Sequence, residues 1–395
     1  MLDRIDAAPG FGARLRREYP SQRRLQSLSE RFVPEDIWTA VALNGFGVSE
    51  VTQLPDWEER VQWVKDNPGS VEDRLLDVDE EAGRSGRMKV LLFDAMDRLH
   101  SNRSTADQLT HGALRLALTL RTSTRNLRAK IFIRYDMFES AGTDFPDASK
   151  LTNNMVDLRW DVTSLYSLLF HLMSGASSPH SGAFRQEANW VQGKAGSREE
   201  LERALHLIAS RHMGTNHRKG YTYTWIPNHL ADGRGQVSPR SFLSALSHAN
   251  TRTREEFASH GKALHWDAIR HGVQHASGIR VREVGEDTPW VKDALEPLRG
   301  QQVPIEPDSV MALWRAADLE NTLGQQIART ESLPDGDESG AFQTGPTSTS
   351  YSHLIEDLRE FGMFTTRADG RLDLPDVYRI AFGVGRKGGV PLVRN

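Results

Sequence analysis

Two acids three residues apart, Asp94 and Asp97, follow the apolar run Val90-Leu91-Leu92-Phe93. That pattern suits magnesium and phosphate chemistry. A hard dication takes oxygen ligands beside phosphate oxygens, so an acid delivered by a strand buried on both faces, Asp94, can serve the metal or its water. Asp97 then suits the orientation of an attacking water. The same residues also read as a buried strand followed by a helix whose first turn Asp94 and Asp97 cap. A second apolar run, Lys130-Ile131-Phe132-Ile133-Arg134-Tyr135-Asp136, again ends in charge and places Arg134 and Asp136 at the same edge. A charged residue there either senses a terminal phosphate or forms a salt bridge that locks the loop. Arg240, in Ser238-Pro239-Arg240 at the start of a helix, does not complement the helix dipole, and facing a phosphate is one use for it. His260, His265, His271 and His275 resemble a metal cluster, but no acidic or third ligand has a fixed spacing, and surface histidines on a helix are the simpler reading.

These residues need elements to hold them. Strand, amphipathic helix (Leu109, Leu114, Leu116, Leu120) and strand make a parallel crossover unit, whose ligands sit beyond the carboxyl ends of the strands. Upstream, residues 1 to about 32 are basic and polar, with Arg14, Arg16, Arg17, Arg23 and Arg24, and read as a solvated helix-turn-helix surface or a phosphate or nucleic-acid contact. Helices follow at Pro34, after Asp56 and after Pro68. Downstream, Met155 to Trp160 reads as a short strand and Asp161 caps a helix through Leu165 to Met173. Residues 174 to 197 read as a surface loop, and helices are expected at 198–212 and 241–249. Two helical segments surround Pro304 to Pro307, and Ser332 to Ser350 reads as a flexible loop. At the end, a helix with Leu354, Leu358 and Phe361 stops at Gly362, and 364–374 alternates around Ala368-Asp369-Gly370 like a β-wing.

Composition narrows the classes. At 395 residues, 38% hydrophobic and 26% charged, with net charge -4, the chain has no overall basic field to recruit nucleic acid. Between 351 and 395, seven Lys and Arg face six Asp and Glu, which favours a structural or protein-contacting wing over a DNA reader. With no cysteine, disulfides, thiolate catalysis and Cys-type zinc sites are excluded. No apolar run approaches a membrane span and the N-terminus has no signal-peptide pattern, so a cytoplasmic location without membrane partners is expected.

Several motifs, in order, resemble bacterial P-loop ATPases of the signal-transducing, STAND-like kind. They are Val-Leu-Leu-Phe-Asp-Ala-Met-Asp-Arg-Leu at 90–99, which has the layout of a Walker B segment, and Lys-Ile-Phe-Ile-Arg-Tyr-Asp-Met-Phe at 130–138. Trp-Ile-Pro-Asn-His-Leu-Ala-Asp at 225–232, Val-Ser-Pro-Arg-Ser-Phe at 237–242 and Gly-Arg-Lys-Gly-Gly-Val at 385–390 continue the series. The resemblance implies an α/β fold: a P-loop NTPase-like parallel sheet, a helical lid carrying an arginine, and a C-terminal winged helix, in proteins that switch between nucleotide states, some in antiphage defence. It divides the chain into a helical region at 1–87, core and lid at 88–250, a helical connector at 251–302 and a winged-helix-like domain at 303–395. It implies ATP and Mg2+ as cofactors. Asp94 is then the metal-side acid, Asp97, Arg134 and Arg240 are catalytic, and Asp136 and Asn228 are nucleotide-side contacts.

Gly-x-x-x-x-Gly-Lys-Ser/Thr, the loop that cradles phosphates, is absent. In the proteins it resembles, that loop and its strand lie upstream of Met1. The expectation is therefore an ATPase portion that is catalytically incomplete alone, its P-loop coming from an upstream segment or a protein partner, and whose strands keep exposed apolar edges. Homo-oligomers are compatible with this. The alternative is a non-enzymatic regulatory protein on a degenerate NTPase scaffold, binding a protein or nucleic acid.

Overall fold

The apolar run before Asp94 is the central strand of a parallel sheet. The computed structural model describes residues 4–100, 102–142, 148–193, 195–331 and 345–386. Two units are present, residues 1–156 with 324–347, and residues 157–323 with 348–395. The elements of the first begin β1 (Ile5–Phe11), α1 (Gln22–Ser29), α2 (Pro34–Phe46), α3 (Ser49–Thr52), α4 (Trp57–Asp66) and α5 (Pro68–Ser85). They continue with β2 (Met88–Phe93), α6 (Arg103–Ser123), β3 (Leu127–Ile131), α7 (Tyr135–Ser140) and α8 (Ser149–Thr152).

The sheet order is β1-β2-β3, all parallel, with Ala7 opposite Val90 and Val90 opposite Arg128. Residues 1–87 are thus not wholly helical as the sequence suggests, because Ile5–Phe11 supplies an edge strand. Pro9 is tolerated there, since an edge strand leaves one side of its backbone without a ladder. The second predicted strand starts earlier than expected, at Leu127, because the carboxylate of Asp79 on α5 receives the N–H groups of Arg125 (3.0 Å) and Asn126 (2.6 Å) and fixes its entry.

Side chains alternate between the two faces of this sheet. Leu91 and Phe93 are fully buried. Phe93 packs edge-on to Trp38 of α2, with ring centroids 5.4 Å apart, and a Cβ on Gly45 would sit 2.8 Å from Leu91 Cδ2, so any larger residue there would make the Leu91 side chain shift. The Trp38 indole N–H donates to the Leu109 carbonyl of α6 at 2.7 Å, so α2 and α6 share that face. Successive parallel crossovers of one hand carry their helices over one face. The other face carries Val90, which is buried, and Ile5, Met88, Leu92 and, one step past β3, Phe132, which are 40%, 37%, 37% and 52% exposed.

The second unit is mainly helical. It contains α9 (Val162–Gly175), α10 (Pro179–Glu187), α11 (Arg198–Ile208), α12 (Thr222–Leu230), α13 (Pro239–Glu256), α14 (Trp266–Asp287) and α15 (Pro289–Leu295). Then come β4 (Gln302–Val303), α16 (Pro307–Ala316), the start of α17 (Leu319–Glu331), whose residues from Gly324 on belong to the first unit, α18 (Tyr351–Glu360), β5 (Thr365–Thr366), β6 (Leu372–Asp373), α19 (Asp376–Arg379) and β7 (Gly385–Arg386). Its core stacks Tyr166 on Tyr223 at 4.4 Å, with Phe242 edge-on at 5.1 Å. Helices α13 and α14 pack closely, with Gly272 against the Ala245 carbonyl. β5 and β6 form the expected antiparallel hairpin after Gly362, whose φ of 69° ends α18.

Two expectations change. Met155–Trp160 is not a strand and has no ladder partner among the described residues. The segment read as a loop at 174–197 contains α10, with Ser178 as N-cap, Pro179 in the first turn and Phe184 buried. The predicted loop at 332–350 lies outside the described residues up to 344. No described helix is long and apolar enough to cross a membrane.

Candidate functional site

The carboxyl edge of the sheet gathers the residues singled out by type. Asp94 directly follows β2, and its N–H donates to the Phe11 carbonyl at 3.0 Å, extending the ladder from β1. The next residue, Ala95, sits in the left-handed region (φ 54°, ψ 39°). For a residue with a Cβ this costs about 1–2 kcal/mol. It turns the chain sharply, so that Asp94 Oδ1 accepts from the Ala95 N–H at 2.8 Å while the carboxylate stays exposed. Met96 and Leu99, both buried, anchor the short 3-10 turn Met96–Arg98, which carries the half-buried Asp97. The helix-capping reading of the two acids does not hold, because α6 is capped by Asn102, whose Oδ1 accepts from the Thr105 N–H at 3.1 Å.

His100, which the sequence reading did not single out, lies between acids and cap. Its Nδ1 accepts from the Asn102 N–H at 2.9 Å, which holds the start of α6, and burial lowers its pKa from the ordinary histidine value.

On the neighbouring strand, the Phe132 N–H donates to the Phe93 carbonyl at 2.8 Å, continuing the ladder past β3. Arg134 follows as the exposed N-cap residue of α7. The structure therefore brings Asp94, Asp97 and Arg134 to one edge, at the ends of adjacent strands. The side chain of Asp136 lies outside the described residues. The far end of α7 is bracketed to α6: Arg103 Nη2 donates to Ser140 Oγ (2.8 Å) and Ser140 Oγ donates to Asp107 Oδ1 (2.9 Å). His111 Nδ1 meets the Ala141 carbonyl at 3.1 Å. These groups and Glu35 line a cavity of about 570 Å3.

Asn228 and Arg240 belong to the second unit. Asn228 is exposed on α12. Arg240 is also exposed, and its Nη1 lies 2.8 Å from Glu283 Oε1 of α14, which compensates a cation at a helix N-terminus. The residue beside Asn228 is the more deeply engaged. His229 Nδ1 hydrogen-bonds the buried Asp376 carboxylate, which also receives Arg379 Nε (2.5 Å) and Arg386 Nη1 (3.0 Å). Burial pushes the Asp376 pKa up, but the hydrogen bonds from His229 and Arg379 and the Arg379 charge outweigh it and hold it below the ordinary value.

The histidine series does not converge. His265 stacks on Phe257 at 3.9 Å, His275 stacks on His248 at 4.3 Å, and His271 Nδ1 meets the Asp267 carbonyl at 3.0 Å. Among the described residues no three His, Asp or Glu side chains are grouped to hold a metal ion.

Comparison with known proteins gives no match to a family model, to a curated protein or to a solved structure.

Proposed function

We propose that this chain is the acid-bearing portion of an ATP-dependent switch, completed by a P-loop supplied from an upstream segment or a partner chain. The observation that carries the reading is the all-parallel sheet whose central strand ends in Asp94 at a left-handed turn, with Asp97 beside it and Arg134 on the next strand. Such carboxyl edges are where α/β sheets bind ligands. Left-handed non-glycine residues persist where a surrounding structure holds them for use.

A single exposed carboxylate fits one role toward magnesium. Mg2+ keeps several waters and takes one or two carboxylates plus substrate phosphates, so Asp94 suits an ion that arrives with a nucleotide. The ion, when bound, neutralises charge on the phosphates. Asp94 then orients the ion or its water, Asp97 orients the attacking water, and Arg134 faces the terminal phosphate.

The open sheet face supports the incompleteness. Parallel sheets occur almost only with both faces covered, whereas Ile5, Met88, Leu92 and Phe132 are exposed here. The same face supports a second reading, a scaffold that binds a protein partner without hydrolysis.

ATP calorimetry with and without magnesium, on the chain as it stands and on an upstream-extended form, separates the two. The ATPase reading expects binding that needs the extension and magnesium, and that weakens at least about tenfold in Asp94→Asn through loss of a charge-assisted contact. The melting temperature of that variant is expected to stay put, since the asparagine Oδ1 still accepts from the Ala95 N–H. No binding by either form refutes the nucleotide reading and leaves the scaffold.

A further inference from the structure

The second unit holds a cavity of about 280 Å3 whose polar groups belong to neither the sheet edge nor the Asp376 cluster. One wall is the start of α13. Its N-cap residue, Ser238, makes no side-chain cap, and Pro239 in the first turn has no N–H, so the N–H groups of Arg240 and Ser241 are the helix's leading donors. The hydroxyl of Ser241 also lines this cavity. Ser241 is 1% exposed, and its Oγ has no hydrogen-bond partner. A buried hydroxyl without a partner is costly to keep, so the position is explained by something it meets in use. Arg280, from α14, brings a guanidinium to the same space.

The charge balance favours an anion. A helix N-terminus carries about half a positive charge, and Arg280 adds a full one. Two acids offset part of this charge: Glu283 Oε2 lies 3.5 Å from Arg280 Nη1, and Asp232 lines the cavity while its Oδ1 accepts from the N–H groups of Arg234 (2.9 Å) and Gln236 (2.8 Å). Arg159 and Gln236 also line the cavity, and Trp160, Val237, Pro239 and Val377 give it an apolar wall.

We propose that this cavity binds a small phosphate monoester, its phosphoryl oxygens taken by Ser241 Oγ, the α13 N-terminus and Arg280, and its organic body lying against Trp160 and Pro239. A phosphoryl group offers three acceptor oxygens to these three sources of donors, where a carboxylate offers two. The volume lies just below the range of small-molecule pockets, about 300–1,000 Å3, which suits a compact ester.

The test is calorimetry of the full chain with inorganic phosphate and with phenyl phosphate, without magnesium, which keeps the outcome separate from that of the nucleotide reading. Saturable one-site binding is expected, tighter for phenyl phosphate if the apolar wall receives the ester's body. Ser241→Ala is expected to weaken it about tenfold, the share of one hydrogen bond to a charged group. Asp232→Asn, which keeps the loop's acceptor oxygen and removes the charge, is expected to tighten it severalfold. Without ligand, Ser241→Ala is expected to melt at or above the wild-type temperature, because it removes an unpartnered polar group. The absence of saturable binding, wild-type affinity in Ser241→Ala, or a lower melting temperature for that variant without ligand overturns the proposal. The last result would mean that the hydroxyl serves the fold.

Discussion

The open face of the sheet gives a prediction whose size follows from exposure. Phe132 is 52% exposed on the face shared with Leu92, Met88 and Ile5. A phenylalanine presents about 150–250 Å2, so roughly 100 Å2 of Phe132 remains in water. Covering it is worth about 2.5 kcal/mol at 25 cal/mol per Å2, or about a sixtyfold change in an association constant. Phe132→Glu removes that term and puts a charge on the patch, while a half-exposed side chain contributes little to the chain's own stability, on the order of 1 kcal/mol. Wild-type chain is therefore expected to self-associate at high concentration in sedimentation equilibrium and to bind an apolar dye in its native state. Phe132→Glu is expected to lose both, with its melting temperature within a few degrees of wild type. A wild type that is monomeric throughout and binds no dye, indistinguishable from Phe132→Glu, would show that the face has no appetite for cover. The support that this face gives to an incomplete switch or to a protein-binding scaffold would then be lost.

Two further substitutions probe the second unit. Asp376→Asn removes the carboxylate charge that the buried Arg379 shares with Arg386; breaking such a pair costs about 3–5 kcal/mol, read as a melting temperature lower by roughly 10 °C. Because the Asp376 pKa is depressed in the folded protein, the stability it contributes is present above the unfolded value of about 3.9 and is lost as pH falls through the folded one. Acid melting curves of Asp376→Asn should therefore be flatter than those of wild type, and equal slopes would refute the assignment. Gly272→Ala places a Cβ 2.1 Å from the Ala245 carbonyl oxygen, which forces α13 and α14 apart. Circular dichroism should show a loss of at least about 2 kcal/mol, within the range for overpacking, and an unchanged melt would mean the helices do not cross so closely.

The parts of the fold that were legible in sequence are those decided locally. Pro34 with Glu35 and Asp36 announces α2, Asp56 and Asp161 cap the helices they precede, and Val90 to Phe93 is apolar enough to be a central strand anywhere. The acids at the end of β2 were legible for the same reason, since a strand's exit point is local. The phosphate-sized cavity was not, because Ser241, Arg280 and Trp160 meet only through the packing of the second unit. The Ser178-Pro179 start of α10 was present in the sequence but masked by the surrounding glycines and serines.

The two misread strands share one cause. Ile5-Asp6-Ala7-Ala8-Pro9-Gly10-Phe11 contains few residues that favour strands, yet it is one, because β2 offers it a parallel partner from Ile5 to Phe11, interrupted by a register shift at Gly10. Met155 to Trp160 alternates as a strand should, yet among the described residues nothing pairs with it, and Val156 and Leu158 remain 74% and 73% exposed. Strand formation is a property of a pair, so propensity misleads in both directions when the partner is unknown. An apolar, alternating segment without a ladder remains able to pair with a strand that is offered to it. If the upstream extension binds ATP, Met155–Trp160 is the segment whose amide protons should gain the most protection from exchange; if they do not change, the extension pairs elsewhere.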